Sequence, residues 1–352
     1  MEKSNLSSIL NGLGGLGFFL LWVVMILDGT FAAVWNAATT GEFADGRPLQ
    51  TRYTWIFPID FAISILMAFF DPLTNLVHMA PYMIFFELIG SIHVFYILAM
   101  VESRRAAKDS WLRVPALWQT IYNCIGVAVG LPFFTRCYVE QDSSINTGRL
   151  PEADAQALPF TTVWSWLLLP LMMLPAWTSL ETTHAQIIVA TWFLTPLFIP
   201  GFQRLASDAA ARMSYKGIAK PVTVTYILSG VISAALRVGL VISIIASADP
   251  DVSFRRVYIP NFAAVQPRRA DTIVEGAHLF IQLDYMLTII LVLIHGIYMS
   301  GEPIIGHANR TKKSPWALTL VTLVFGPGAG MSYAAYLKES RVESVGARSK
   351  QH

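Results

Sequence analysis

The amino-acid sequence predicts an all-α fold, a polytopic integral membrane helical bundle of about seven to nine transmembrane helices. Three observations predict it. Of 352 residues, 54% are hydrophobic and only 14% are charged, whereas soluble domains carry about 25% charged residues. The mean hydropathy is +0.52. Apolar stretches also recur that reach the roughly 20 residues a helix needs to cross about 30 Å of hydrocarbon. The formal net charge is +2, and the basic residues fall in short runs between apolar stretches, which argues against a nucleic-acid partner. Cys124 and Cys137 lie about 13 residues apart on one apolar stretch, too far along a helix to bridge, so neither a disulfide nor a metal site is expected from them.

Residues 1–12 are rich in Asn, Ser and Gly, and the apolar stretch that follows carries no small-residue cleavage pattern. It reads as a retained anchor. The expected spans are 13–36, 54–70, 78–101, 113–136, 160–178, 184–202, 222–246, 274–299 and 315–337. The 54–70 stretch is short and 160–202 carries Pro170, Pro175 and Pro196, so seven or eight full crossings are the alternative to nine. The 102–113 loop holds Arg104, Arg105, Lys108 and Arg113, whereas the 139–157 loop holds Glu140, Asp142, Glu152 and Asp154 against Arg149. The positive-inside rule places the first in the cytosol. The 203–221 and 301–314 loops are also basic, and a broken or re-entrant pair within 160–202 restores the alternation they ask for. Two glycosylation sequons, at Asn5 and Asn309, count only where they face a lumen. No internal repeat is present, so 13–337 reads as one membrane-embedded catalytic domain, followed by a disordered tail over 338–352 rich in Lys, Arg and Ser.

Ionisable residues inside apolar stretches cost roughly 2.5–3.5 kcal/mol on insertion scales, so they face a cavity or a partner. They are Asp28, Asp60, Glu87, Arg237, His278 and Asp284, with Asp71, Glu102, Glu181 and Glu275 near stretch ends. Asp60 and Asp71 sit about three helical turns apart and share a face, with Asp71 read as a turn residue before Pro72. Ser229, Ser233 and Arg237 form a polar stripe, and Arg237 needs a carboxylate, for which Asp60 and Asp284 are the expected partners. An ion pair that fixes helix packing competes there with substrate contact. Asp284, Thr288 and His295 share one face of 274–299, and His278, Gln282 and Tyr285 the next. Such density suits a general acid with a relay, or a proton path. Aromatic residues, among them Trp55, Phe69, Phe70, Phe85, Tyr122 and Trp192, supply π faces that stabilise cations, although Trp and Tyr also anchor helix ends at the interface.

The seven histidines are too scattered for a membrane di-iron site. No pair of carboxylates a turn apart lies in an apolar stretch to hold Mg²⁺ on a diphosphate, so a metal-dependent prenyltransferase is disfavoured. No metal and no cofactor are expected.

The pattern Pro58-Ile-Asp60 through Ala68-Phe-Phe-Asp-Pro72 resembles a signature of fungal transmembrane terpene cyclases. Glu102-Ser-Arg104, Ala190-Thr-Trp192 with Pro196, and Gln282-Leu-Asp284-Tyr285 follow in a similar order. The resemblance covers roughly 13–337 and is to the longer members, similar to the ascochlorin and ascofuranone pathway cyclases. It implies cyclisation of a terpenoid, or of the farnesyl-type tail of a meroterpenoid, begun by protonating an epoxide or alkene without metal. The Asp-x-Asp-Asp motif of soluble protonating cyclases is absent, so the acid is sought among the buried carboxylates. Asp60 is the leading catalytic acid, with Asp284 and Glu102 as the second acid or its hydrogen-bond partner. Arg237, Trp55, Glu87, Tyr285, Trp192 and His278 are the substrate-binding or tuning residues. The expected partners are an apolar terpenoid substrate and the lipid bilayer, with the endoplasmic reticulum as the expected membrane. A proton-coupled transporter and a sterol-isomerase-like enzyme are the alternatives.

Overall fold

The computed structural model describes residues 3–107, 109–141, 150–301 and 315–348, which form helices joined by short loops with no strand among them. Lys108, Asp142, Arg149 and most of the basic 301–314 loop with its Asn309 sequon lie outside the described residues. Helix α1 (Lys3–Phe18) continues through a π-turn at Phe19–Val23 into α2 (Val24–Leu27). The expected 13–36 span is interrupted at Asp28, whose Oδ1 accepts from Thr30 N at 2.9 Å and turns the chain into α3 (Thr30–Thr40). An acid followed by glycine ends the helix there because the side chain offers the backbone a local partner.

Helix α4 (Phe57–Phe70) has 14 residues, about 21 Å at 1.5 Å per residue, which is too short to cross hydrocarbon. The expected 113–136 span is two helices, α6 (Pro115–Cys124) and α7 (Val127–Glu140). Between them Gly126 adopts φ 103° and ψ 149°, a region essentially reserved for glycine. A Cβ at Gly126 would stand 2.7 Å from Leu21 Cδ1. In contrast, α8 (Glu152–Trp177) holds Pro159, Pro170 and Pro175 within one continuous helix. The break of the 160–202 region comes later, where α9 (Thr182–Trp192) meets α10 (Thr195–Arg212) at 53°. Pro196 fits in the first turn of α10, where its missing N–H costs nothing.

The remaining helices are α11 (Pro221–Ala246), the short α12 (Phe254–Tyr258), α13 (Thr272–Gly301) and α14 (Pro315–Arg348). Among the described residues, six helices are long and apolar enough to cross a membrane, or seven if the bent α9–α10 pair counts as one span. The expected nine therefore falls to six or seven, because α4 is short and α6–α7 is broken. The expected 203–221 loop is helical through Arg212.

Helix α5 (Met79–Arg105) is the axis of the bundle, with neighbours α6, α8, α11, α13 and α14. Nearly all of it is buried, which is the arrangement its all-round apolar sequence calls for. The outer faces differ: Val231, Ile242 and Ile245 of α11 and Leu320 of α14 stay exposed, as suits side chains that meet acyl chains.

The end of α5 is tied to α14 by a buried ion network. Glu102 accepts from Lys338 Nζ at 3.1 Å and from Arg105 Nη1 at 3.3 Å, and Arg105 Nη2 donates to Glu339 at 2.6 Å. Lys338 and Glu339 were expected in a disordered tail, yet α14 runs to Arg348. The two acids and two bases neutralise each other, and that cancellation lets polar residues continue a packed helix. Near its middle α14 breaks at Gly326 (φ 88°, ψ 165°), ahead of Pro327.

Gly126→Ala is expected to lower stability by about 1–3 kcal/mol, read as a lower apparent Tm of the detergent-solubilised protein. Gly239→Ala on α11, where a Cβ meets nothing within 4 Å, serves as the control and is expected to be neutral or slightly stabilising. Equal effects at the two sites would contradict the role given to the α6–α7 break.

Candidate active site

A cavity opens between α2, α3, α4, α5, α6 and α13. Its wall is aromatic and aliphatic, with Trp22, Phe31, Phe69, Phe70, Phe85 and Phe280 among the lining residues. The rings brace one another edge to face: Phe69 and Phe280 lie 5.0 Å apart, Phe69 and Phe70 5.1 Å, and Trp22 and Phe280 5.8 Å. Asp284 is the one acid among the lining residues, and Tyr122 and Asn123 supply the other polar atoms beside it.

Asp284 is 2% exposed. Its Oδ1 accepts from Ala128 N at 2.6 Å and its Oδ2 from Val127 N at 3.1 Å. These are the first N–H groups of α7, which have no partner inside the helix and carry the positive end of its dipole. The break at Gly126 therefore gives a carboxyl group at membrane depth its two donors. Each oxygen keeps a second lone pair for a proton or a substrate atom.

A second polar centre lies on the other side of α13. Glu87 of α5 is buried, and its Oε2 accepts from Arg237 Nη1 and from the Tyr258 hydroxyl, each at 2.7 Å. Its Oε1 accepts from the Tyr285 hydroxyl. The Arg237 guanidinium stacks over the Tyr258 ring at 4.6 Å, a cation–π contact. A Cβ at Gly326 would come within 3.0 Å of Glu87 Oε1, so the break in α14 makes room for this carboxylate. Burial first, and then the Glu87 carboxylate, hold the Tyr258 phenol above its ordinary value, which keeps it a neutral donor.

The structure brings Glu87, Arg237 and Tyr285 together, and leaves Asp60 and Asp284 elsewhere. Arg237 was expected to pair with Asp60 or Asp284 and pairs with Glu87 instead, because α11 packs on α5, while Asp60 bonds the chain ahead of α4 and Asp284 the start of α7. Asp60, expected as the leading acid, sits in the first turn of α4. Its Oδ1 accepts from Tyr53 N at 3.1 Å, Thr54 N at 2.6 Å and Thr54 Oγ1 at 2.8 Å. That geometry fixes the chain entering α4. Asp71 pairs with Arg47 at 2.9 Å, while burial raises its carboxyl above the ordinary value against that pull. Glu102 belongs to the ion network, away from the cavity. Trp55 has φ 65° and is 80% exposed, so it lines nothing. His278 is buried on α13 with Gln282, whose Nε2 donates to Arg256 O and Val257 O. His295 meets Thr135 Oγ1 at 2.7 Å and stacks on Phe134, as a packing residue would. Trp192 is fully buried beside His93.

Sequence reasoning did not single out Trp22, Phe31, Phe280, Asn123 or Tyr258. Phe31 and Phe280 are ordinary apolar residues of a membrane helix by composition, and Trp22 is of a type that also anchors helix ends at the interface. Asn123 and Tyr258 carry no charge to mark them, and Tyr258 lies in a stretch read as loop.

Arg237→Met is expected to destabilise the protein by about 3–5 kcal/mol, since it leaves the Glu87 carboxylate buried without its cation. Combining it with Glu87→Gln is expected to recover a large part of that loss. A double-mutant cycle on thermal unfolding in detergent checks this, and additive losses would contradict the pairing.

Residues 6–342 match the model of the CtvD domain. Among curated proteins, the chain is 27% identical to a terpene cyclase DEP1 of Alternaria brassicicola, over 94% of this chain and 97% of the relative. It is 26% identical to a terpene cyclase DEP1 of Fusarium langsethiae, again over 94% and 97%, and 24% identical to the terpene cyclase alnG of Emericella nidulans, over 95% and 94%. No solved structure matches the chain. With a family model covering nearly its whole length and fungal terpene cyclases as relatives along that same length, this helical membrane protein belongs to the CtvD-domain family.

Proposed function

We propose that this protein is a membrane terpene cyclase in which Asp284 protonates an epoxide or alkene of a terpenoid or meroterpenoid chain held in the aromatic cavity. The observation that carries the reading is the position of a single carboxyl group in a wall that is mostly apolar and aromatic. The relatives named terpene cyclases support the reaction class. Their names do not extend to the initiating step, which is inferred from the site.

In this reading the Asp284 carboxyl proton passes to the epoxide oxygen, the C–O bond opens, and a tertiary carbocation forms. Neighbouring double bonds attack in turn. Loss of a proton from carbon back to the carboxylate ends the sequence, so atoms balance and the acid is regenerated. Between the two transfers, Asp284 is an anion held by the N–H groups of Val127 and Ala128. A preorganised donor pair facing developing charge is an effective source of stabilisation in a dry site. The faces of Trp22, Phe69, Phe85 and Phe280 stabilise the travelling cation without capturing it, and the apolar wall excludes the water that would. The Glu87 centre, built from an ion pair and two phenols, acts in this scheme as the anchor that fixes α5 against α11 and α13. Asp60 and Glu102 have structural roles. No metal takes part, and the endoplasmic reticulum is the membrane in which an apolar substrate of this kind is met.

Asp284→Asn is expected to lower kcat by about 10²–10⁴-fold, the usual contribution of a general acid. Microsomes supplied with epoxidised farnesyl chains, followed by mass spectrometry of products, measure it. The apparent Tm of the variant controls for the lost cap of α7. Asp60→Asn is expected to cost stability with far less effect on turnover per folded molecule, and product formation is expected to persist in excess EDTA. Full turnover by a folded Asp284→Asn variant would refute the assignment.

A further inference from the structure

Next to the apolar cavity lies a group of buried polar side chains that the chemistry above does not use. Gln119 on α6 is fully buried, and neither atom of its amide hydrogen-bonds a described residue. One turn further on, Asn123 accepts from the Tyr96 hydroxyl through Oδ1 while its Nδ2 has no partner among the described residues. Asn123 is also part of the cavity wall. Trp192 is fully buried with its indole N–H unpartnered among the described residues. Its ring centroid lies 6.4 Å from that of His93, which is 5.3 Å from that of Tyr96. His93 meets Ser165 Oγ at 2.7 Å through Nδ1, and its Nε2 is unpartnered among the described residues.

A buried polar group left without a partner costs about 1–3 kcal/mol, and such groups are rare enough that each calls for an explanation. Here they are linked in series: Gln119 lies one turn before Asn123, Asn123 bonds Tyr96, and His93 stands between the rings of Tyr96 and Trp192. A second, independent observation concerns the backbone. Helix α6 ends one residue beyond Asn123, and the 53° bend between α9 and α10 begins at Trp192. Helix ends at membrane depth persist where they are enclosed by protein or line a cavity. The unpartnered atoms thus gather where two helices stop, alongside the chamber that holds Asp284.

We infer that Gln119, Asn123 and Trp192 form a subsite for a neutral, hydrogen-bonding head group, a hydroxyl or carbonyl, at one end of the terpenoid chain. The chemistry of the set selects the class. Amide and indole N–H groups suit a neutral oxygen that accepts, and the Gln119 amide oxygen suits the proton of a hydroxyl. Neither Lys nor Arg stands among them to meet a diphosphate or a carboxylate. The inference rests on the cyclase reading for the identity of the chain. It adds a reason for regiochemistry: Asn123 precedes by three residues the Gly126 break, where Asp284 lies. A head group fixed at Gln119 and Asn123 therefore sets which bond along the chain meets the acid.

The test uses the full chain in nanodiscs with an epoxyfarnesylated phenol and its deoxy counterpart, measuring Kd and cyclised product for each. The wild type is expected to bind the phenol at least about tenfold more tightly, the size of one or two well-made hydrogen bonds. Gln119→Leu and Trp192→Phe are each expected to remove most of that preference while leaving the affinity for the deoxy compound unchanged, which also reports correct folding. Equal affinity of the wild type for the two compounds overturns the inference, as does a preference that survives in a folded variant. Should neither variant fold, the wild-type comparison alone decides. The two readings separate cleanly: a wild type that prefers the phenol but cyclises neither chain sinks the cyclase and leaves the subsite. One that binds and cyclises both equally sinks the subsite and leaves the cyclase.

Discussion

An ionised carboxylate withdrawn from water loses several kcal/mol of hydration that nothing in hydrocarbon returns, so its position in a membrane helix is set by where donors are found. Three buried acids in this protein solve the problem in three ways. Asp284 takes the free N–H groups at the start of α7. Glu87 takes a guanidinium and two phenols. Glu102 takes an ammonium and a second guanidinium. Much of the irregular backbone follows. The α6–α7 break exposes the N–H groups that Asp284 needs, and the α14 break clears the space that Glu87 occupies. Both breaks use a glycine in a conformation closed to other residues.

These solutions are not chemically equivalent. Glu87 and Glu102 face permanent cations, and such pairs hold helices together. Asp284 faces neutral backbone dipoles and an apolar chamber, which is why the proposed cyclase reading gives it the proton transfer. In that reading the type of donor separates the anchoring acids from the reacting one. Depth does not separate them, since all three acids are buried.

Much of this was legible in the sequence. The apolar stretches gave the membrane and the all-α class, and an acid in the middle of the 274–299 run marked Asp284. The polar stripe ending at Arg237 announced a buried cation. Its partner was not legible, because Asp60, Glu87 and Asp284 all satisfy the charge and only the packing of α11 on α5 chooses among them. Asp60 was not distinguished from the other acids for a related reason. An acid in the first turn of a short helix, Asp60 between Ile59 and Phe61, looks like one in mid-membrane, Asp284 between Leu283 and Tyr285, because an aliphatic and an aromatic residue flank both. The 113–136 stretch hid its break because Ile125-Gly126-Val127 is as apolar as a continuous helix, and Pro170 and Pro175 suggested breaks where α8 runs through. Tyr258 was invisible, since only its approach to Glu87 from a loop gives it a role.

The position of α5 at the axis has a consequence for how the chain is made. Helix α5 leaves the ribosome early, and it is apolar enough to enter the bilayer alone. The partners of Glu87 lie 150, 171 and 198 residues downstream, and Lys338 lies 236 residues beyond Glu102. Until α11, α13 and α14 are synthesised, Glu87 waits in the membrane without its partners, and Glu102 has only Arg105 of its own helix. Biogenesis of this protein therefore includes an interval in which its central helix is inserted but unmatched, and the last helix to emerge is the one that closes the account.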